Sequence, residues 1–196
     1  GASFFTLMRI YDAQKNDVAC SRKWFLINFA ETDPSTALRI GAIHELIYMI
    51  GFDRNRAINS FDNLIKGHEI LLESQYTGNF IVKALYQNYL RLNPYIVAMM
   101  QHEKPKVQEQ GACLACIAGI ANNAMESEDA LLTARALAKE TISPGAPLSW
   151  KKGAVTIYSR NITRTSTDVC IQKLCNLLEE DDSQIHDSIG QLFYYI

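Results

Sequence analysis

The chain has 196 residues, 48% hydrophobic and 20% charged, enough for a soluble body with a sizeable core, read as a single domain over 1–196. Its formal net charge of -2 lacks the strongly basic balance of a general DNA or RNA binder, so nucleic acid is disfavoured as a partner. No stretch approaches the roughly 18 to 20 uncharged apolar residues of a membrane span, and the apolar run at the N-terminus is broken by Arg9 and Asp12.

Apolar residues recur at spacings of three and four almost throughout, and β-type alternation is hard to find, so the expected class is all-α. Gly1-Ala2-Ser3 reads as a cloning remnant, followed by helices predicted over 3–13 and 17–30. Thr32-Asp33-Pro34-Ser35 is an N-cap signal with proline at an early position, and it opens a helix over 34–51. Helices over 54–66, 68–74 and 77–91 follow. Asn93-Pro94 gives the same signal for a helix over 94–102 that carries Ile96, Val97, Met99 and Met100. The remaining segments are 105–121, 127–140, 147–162, 166–179 and 182–196. The last ends at Phe193-Tyr194-Tyr195-Ile196 in mid-pattern, as in a piece of a longer protein. Connections of two to six residues predict stacked antiparallel helical hairpins, an irregular α-solenoid.

An internal echo sharpens this expectation. Tyr95 to Met100, the polar turn His102-Glu103-Lys104-Pro105 and the helix Val107 to Ile117 find a counterpart in Val169 to Leu178, Glu179 to Asp182 and Ile185 to Phe193. The second-helix signature recurs at Leu38-Arg39-Ile40-Gly41-Ala42-Ile43 and Trp150-Lys151-Lys152-Gly153-Ala154-Val155. Its small pair stands at 41–42, 111–112 and 153–154, spaced by 70 and then 42 residues. Only the second spacing fits the roughly 40 to 47 residue period of HEAT and armadillo units. Gly and Ala there let neighbouring helix backbones approach.

At these residues the chain resembles HEAT-like repeat proteins, whose unit is an apolar helix, an Asp- or Asn-rich turn and a helix opening Val-Arg into small and aliphatic residues. Phe80 to Ile120, Ala130-Leu131-Leu132 and Trp150 to Ile162 more narrowly resemble the C-terminal helical region of large bacterial STAND-type NTPases. The narrower resemblance implies a helical array that senses a ligand or partner beside an ATPase domain. The sequence departs from the repeat at Gln108 or Glu109 and at Ile185-His186, where arginine is usual, so the Asp-to-Arg ladder of such arrays is weak there.

Candidate chemistry is sparse. Cys113-x-x-Cys116 has redox or half-zinc-site spacing, but it lies in the apolar run Gly111 to Ile120 with no second ligand pair to complete a tetrahedral site, so packing is the reading. The five cysteines, an odd number in apolar contexts, fit a reducing cytoplasmic compartment. His44-Glu45 begins the metalloprotease pattern H-E-x-x-H, but Tyr48 stands where the second His belongs, and His68-Glu69 meets Leu72 there. Glu179 to Asp182 lacks an EF-hand loop, and no phosphate-cradling glycine motif occurs. No catalytic, metal or cofactor-binding residue is assigned, and no cofactor is expected.

Lys151, Lys152, Tyr158, Arg160 and Arg164 mix cations with an aromatic ring along one hairpin and form the candidate partner-binding surface, against the alternative of a solvated helix face. Tyr76, Tyr86, Tyr89 and Tyr95 form a second aromatic group, read as core residues or as the lining of a groove. The function these features imply is a non-catalytic interaction, sensor or scaffold module that contacts a protein partner or another domain of the same chain. The alternative is a HEAT-like nucleic-acid binder or base-processing enzyme, which needs a basic groove containing a carboxylate.

Overall fold

The computed structural model describes residues 17–121, 125–162, 167–179 and 183–193. The helix expected over 3–13 lies outside them. Among the described residues every regular element is helical, and no helix is long and apolar enough to cross a membrane. The chain divides into two compact units, residues 1–84 and 85–196.

The first unit contains α1 (Asp17–Thr32), α2 (Thr36–Met49), α3 (Arg54–Ile65), a 3-10 segment (Glu69–Glu73) and α4 (Gln75–Ala84). Helix α2 is its centre, packed against α1, α3 and α4. Ile27, Ile43, Leu46, Ile58, Phe61, Leu64 and Phe80 are fully buried, and the rings of Phe61 and Phe80 stack with centroids 4.4 Å apart. The start of α2 differs slightly from expectation. Ser35 is the N-cap, its hydroxyl accepting from Leu38 N, while Pro34 precedes the cap. Asp33 Oδ1 accepts from Ser35 N at 2.7 Å, so the Asp33 side chain bends the chain into the turn before the helix begins. Asp53 caps α3 by accepting from Arg56 N, and Gly67, at φ 71°, supplies the left-handed turn just beyond the helix.

Arg39 links these elements. It is buried in the first turn of α2. Its Nε donates to Asp33 O, one terminal nitrogen donates to Glu31 O at 2.7 Å, and the other donates to Asn63 O and to Leu64 O at 2.7 Å. These carbonyls belong to the C-terminal turns of α1 and α3 and to the turn between α1 and α2, where helix carbonyls lack intrahelical donors. The guanidinium also meets the negative ends of two helix dipoles. Glu31 pairs with Arg39, and Lys23 with Glu45 further along, so α1 and α2 run antiparallel.

The second unit contains a 3-10 turn (Leu85–Gln87), α5 (Tyr89–Met100), α6 (Pro105–Gly119), α7 (Glu128–Glu140), α8 (Leu148–Arg160), α9 (Thr167–Leu178) and α10 (Ser183–Phe193). The expected break at Asn93-Pro94 does not occur. Helix α5 starts at Tyr89 after the N-cap position Asn88 and runs through Pro94. Its buried stripe Tyr89, Leu92, Ile96, Met99 and Met100 continues across the proline, and burying that stripe outweighs the one backbone hydrogen bond that proline cannot donate.

Helix α6 packs against α5, α7 and α8 through the small residues the sequence singles out. A Cβ on Gly111 would lie 2.7 Å from Met100 N of α5, and one on Gly119 would collide with Ala138 Cβ of α7. A Cβ on Gly153 of α8 would lie 2.5 Å from Glu109 O of α6. The relative direction of the paired helices follows from their contacts. Gly119 against Ala138 and Cys116 against Thr141 set α6 and α7 antiparallel. Gln108 with Ser149 and Cys113 with Gly153, 41 and 40 residues apart, set α6 and α8 parallel. Trp150 Nε1 donates to Met100 O at 2.8 Å, which ties the start of α8 to the end of α5.

Candidate functional site

Of the basic and aromatic residues expected to form one positive edge along a hairpin, the described ones do not share a surface. Lys151 and Tyr158 are buried, 7% and 2% exposed, so neither contributes to such an edge. Lys152 is half-buried, with its ammonium donating to Gln184 Oε1 at 3.4 Å, and Arg160 is exposed. Arg164 lies outside the described residues. The reason is periodicity: Lys151, Ala154, Val155 and Tyr158 occupy one helical stripe, and that stripe faces the core. The second aromatic group is likewise dispersed. Tyr89 is fully buried and donates to Asn93 Oδ1, while Tyr86 and Tyr95 in the same unit are partly open. Burial, with Glu140 nearby, pushes the Tyr89 hydroxyl up to about 12.

The C-x-x-C pair sits among packing contacts. Cys116 is fully buried in a cluster with Ala154, Val155, Tyr158, Cys170 and Leu174, and its sulfur lies 3.3 Å from Thr141 Oγ1. Cys113 Sγ donates to Gly153 O at 3.4 Å. Burial pushes the Cys113 thiol up to about 12 and the Cys116 thiol to about 11, and it also raises Cys170. The thiolate is the reactive form, so these three groups stay neutral and unreactive near pH 8. In the folded chain at that pH an aromatic disulfide reagent is expected to modify exposed Cys175 and half-buried Cys20 quickly, and Cys113, Cys116 and Cys170 only on unfolding. Peptide mapping of the labelled sites checks this. Rapid labelling of Cys116 in the native protein would contradict the buried cluster. No group of three or more His, Cys, Asp or Glu among the described residues is placed to hold a metal ion.

In the first unit, Glu45 and Lys23 are both buried and their charged groups pair at 3.2 Å. The other Glu45 oxygen lies 3.5 Å from His44 Nδ1, which is buried and forms no hydrogen bond. The His44 ring meets Tyr48 edge-on at 5.5 Å and Tyr76 at 4.7 Å. Tyr48 therefore serves His44 as a ring neighbour at the position where a zinc site would need its second imidazole. With one carboxylate oxygen committed to Lys23 and His44 Nδ1 left without a hydrogen bond, the cluster is a buried ion pair between α1 and α2 with a ring-flanked imidazole beside it.

The unit's solvent side is unusual in a different way. Phe25 and Phe29 on α1 are 70% and 51% exposed, and Tyr48 and Phe52 at the end of α2 are 57% and 72% exposed. On α1 the core side is Lys23, Trp24, Ile27 and Ala30, and the described exposed residues are Ser21, Arg22, Phe25, Asn28, Phe29 and Thr32. Phe25 and Phe29, four residues apart, are neighbours on the outer face. Helix α3 adds Arg56, whose guanidinium lies 4.3 Å over the Trp24 ring. These aromatics are the candidate recognition surface. Sequence pattern could not find them, because a phenylalanine in a helix carries the same apolar signal whether it faces the core or the solvent.

Compared with known protein families, curated proteins and solved structures, the chain matches none.

Proposed function

We propose that this chain is a non-catalytic protein-interaction domain with an irregular HEAT-like construction. The repeat reading is supported by α6 and α8, parallel helices in contact at an offset of 40 to 41 residues, each approaching its neighbours through a Gly-Ala pair. Arg39, closing the ends of α1 and α3, plays the part expected of a repeat arginine.

The observation that carries the interaction reading is the outward-facing pair Phe25 and Phe29. A phenylalanine presents about 150–250 Å². At about 25 cal/mol per Å², covering the exposed parts of both rings contributes on the order of 5 kcal/mol of apolar transfer to a docked partner. Isolated exposed apolar residues are ordinary, but two large rings one turn apart form an anchor of the hot-spot type. Lys23, Glu45 and Arg39, buried in the same unit, are engaged with side-chain or backbone partners of the chain itself, which supports recognition over chemistry.

Affinity capture from nuclease-treated lysate tests this, using the 196-residue chain and its Phe25→Ser/Phe29→Ser variant. The expected result is a protein retained by the native chain and lost from the variant. Retention of nuclease-sensitive material alone, or of the same proteins by both forms, contradicts it.

A further inference from the structure

We infer that residues 4–11 of this same chain are the resident occupant of the Phe25–Phe29 face and yield it to the partner, a regulation that rests on the interaction reading. The segment precedes the face in the chain and matches it in character. Phe4, Leu7, Met8 and Tyr11 recur at i, i+3, i+4 and i+7, the one-sided apolar stripe of a surface helix, while Thr6, Arg9 and Asp12 fall on its other side. A segment patterned in this way needs an apolar surface to lie on, because so short a helix is marginal by itself. Helix α1 offers one. Its core side, with Trp24, Ile27 and Ala30, is buried where α1 packs on α2 and α3, so the side that carries Phe25 and Phe29 is the one left open.

The length of the link favours this surface as well. Residues 12–16 separate Tyr11 from Asp17, where α1 begins, and five residues reach at most about 17 Å. Along α1, Phe25 lies about 12 Å and Phe29 about 18 Å from Asp17. An antiparallel return that sets Tyr11 about one turn past Asp17 brings Phe4, about 10 Å further on, level with the turn between Phe25 and Phe29. A tether this short holds the segment at an effective concentration on the order of millimolar beside the face. Even a weak contact then fills it, which a second copy of the chain at micromolar concentration does not match. A partner with ordinary affinity for the two rings still displaces the segment, so the segment sets a threshold for binding.

Two experiments on the 196-residue chain test this. In the first, benzoylphenylalanine replaces Phe25 in the purified chain and the crosslinked residues are mapped by mass spectrometry. The expected product is intramolecular and joins position 25 to residues 4–11, with a yield that does not change on dilution and falls at least about tenfold in Leu7→Ser/Met8→Ser. Products that join two chains, or a map without residues 4–11, would overturn the assignment. In the second, a labelled peptide of residues 2–13 is added in trans and followed by fluorescence anisotropy. It should bind Leu7→Ser/Met8→Ser at least about tenfold more tightly than the unaltered chain, because the resident copy no longer competes, and lose that binding when Phe25→Ser/Phe29→Ser is added. Equal affinity for the unaltered and opened chains, or binding that survives loss of both rings, contradicts it. A cooperative thermal melt establishes that each variant folds, and the first experiment on the otherwise native chain stands whether or not they do. The two readings fail separately. Lysate capture that depends on Phe25 and Phe29 without the crosslink to residues 4–11 leaves the interaction reading and removes the resident segment, whereas the crosslink without such capture leaves the contact and removes its role in regulating a partner.

Discussion

Replacing Arg39 with alanine is expected to cost the folded chain about 3–5 kcal/mol, a large share of the roughly 5–15 kcal/mol that holds a domain together. The substitution removes the donors to four backbone carbonyls, those of Glu31, Asp33, Asn63 and Leu64. The first and last two lie in helix C-terminal turns and sit beside a buried side chain, so water replaces the guanidinium poorly. Lysine should recover only part of the loss. Its ammonium is a compact point charge and cannot spread along the fork that reaches α1 and α3 together. Urea unfolding followed by circular dichroism measures the effect, and a loss under about 1 kcal/mol for Arg39→Ala would show that the carbonyls are satisfied without it.

Gly153→Ala is expected to destabilise the second unit by about 1–3 kcal/mol, even though alanine is normally the better helix former by about 1 kcal/mol. The sign is decided by what the new methyl meets. It would lie 2.5 Å from Glu109 O and 2.9 Å from Ala112 Cβ, so α6 and α8 must move apart along their whole contact. No flexible side-chain end is available there to give way. Gly190 in α10 is the control, because a Cβ there meets nothing within 4 Å. Gly190→Ala should raise the melting temperature slightly through helix propensity alone, while Gly153→Ala lowers it by several degrees. A rise for both would mean that the close approach of α6 and α8 is not required.

Much of the fold was legible because its signals are local. The helices expected over 54–66, 105–121 and 127–140 start at Arg54, Pro105 and Glu128, and the Gly-Ala pairs at 111–112 and 153–154 correctly flagged close helix contacts. Pro94 misled because a local steric rule competed with a buried stripe running through it, and the stripe prevailed. The candidate site was harder to read. Lys151 reads as surface when grouped with the cations and ring around it, but its position in the stripe with Ala154, Val155 and Tyr158 puts it on the inner face. Lys23, Arg39 and Glu45 follow the same logic on α1 and α2, where each charge is accepted inside because a specific partner satisfies it. Phe25 and Phe29 were invisible for the opposite reason: their letters say apolar, and only the packing of α1 shows that their side of the helix is left open.

The most direct measurement is site-specific photocrosslinking, with benzoylphenylalanine replacing Phe25, Phe29 or, as a buried control, Phe61, and the products identified by mass spectrometry after nuclease treatment. A discrete protein joined through positions 25 and 29 but not 61 is the result predicted here. Crosslinks to nucleic acid alone, or none above the Phe61 background, would contradict a protein-recognition role for this surface.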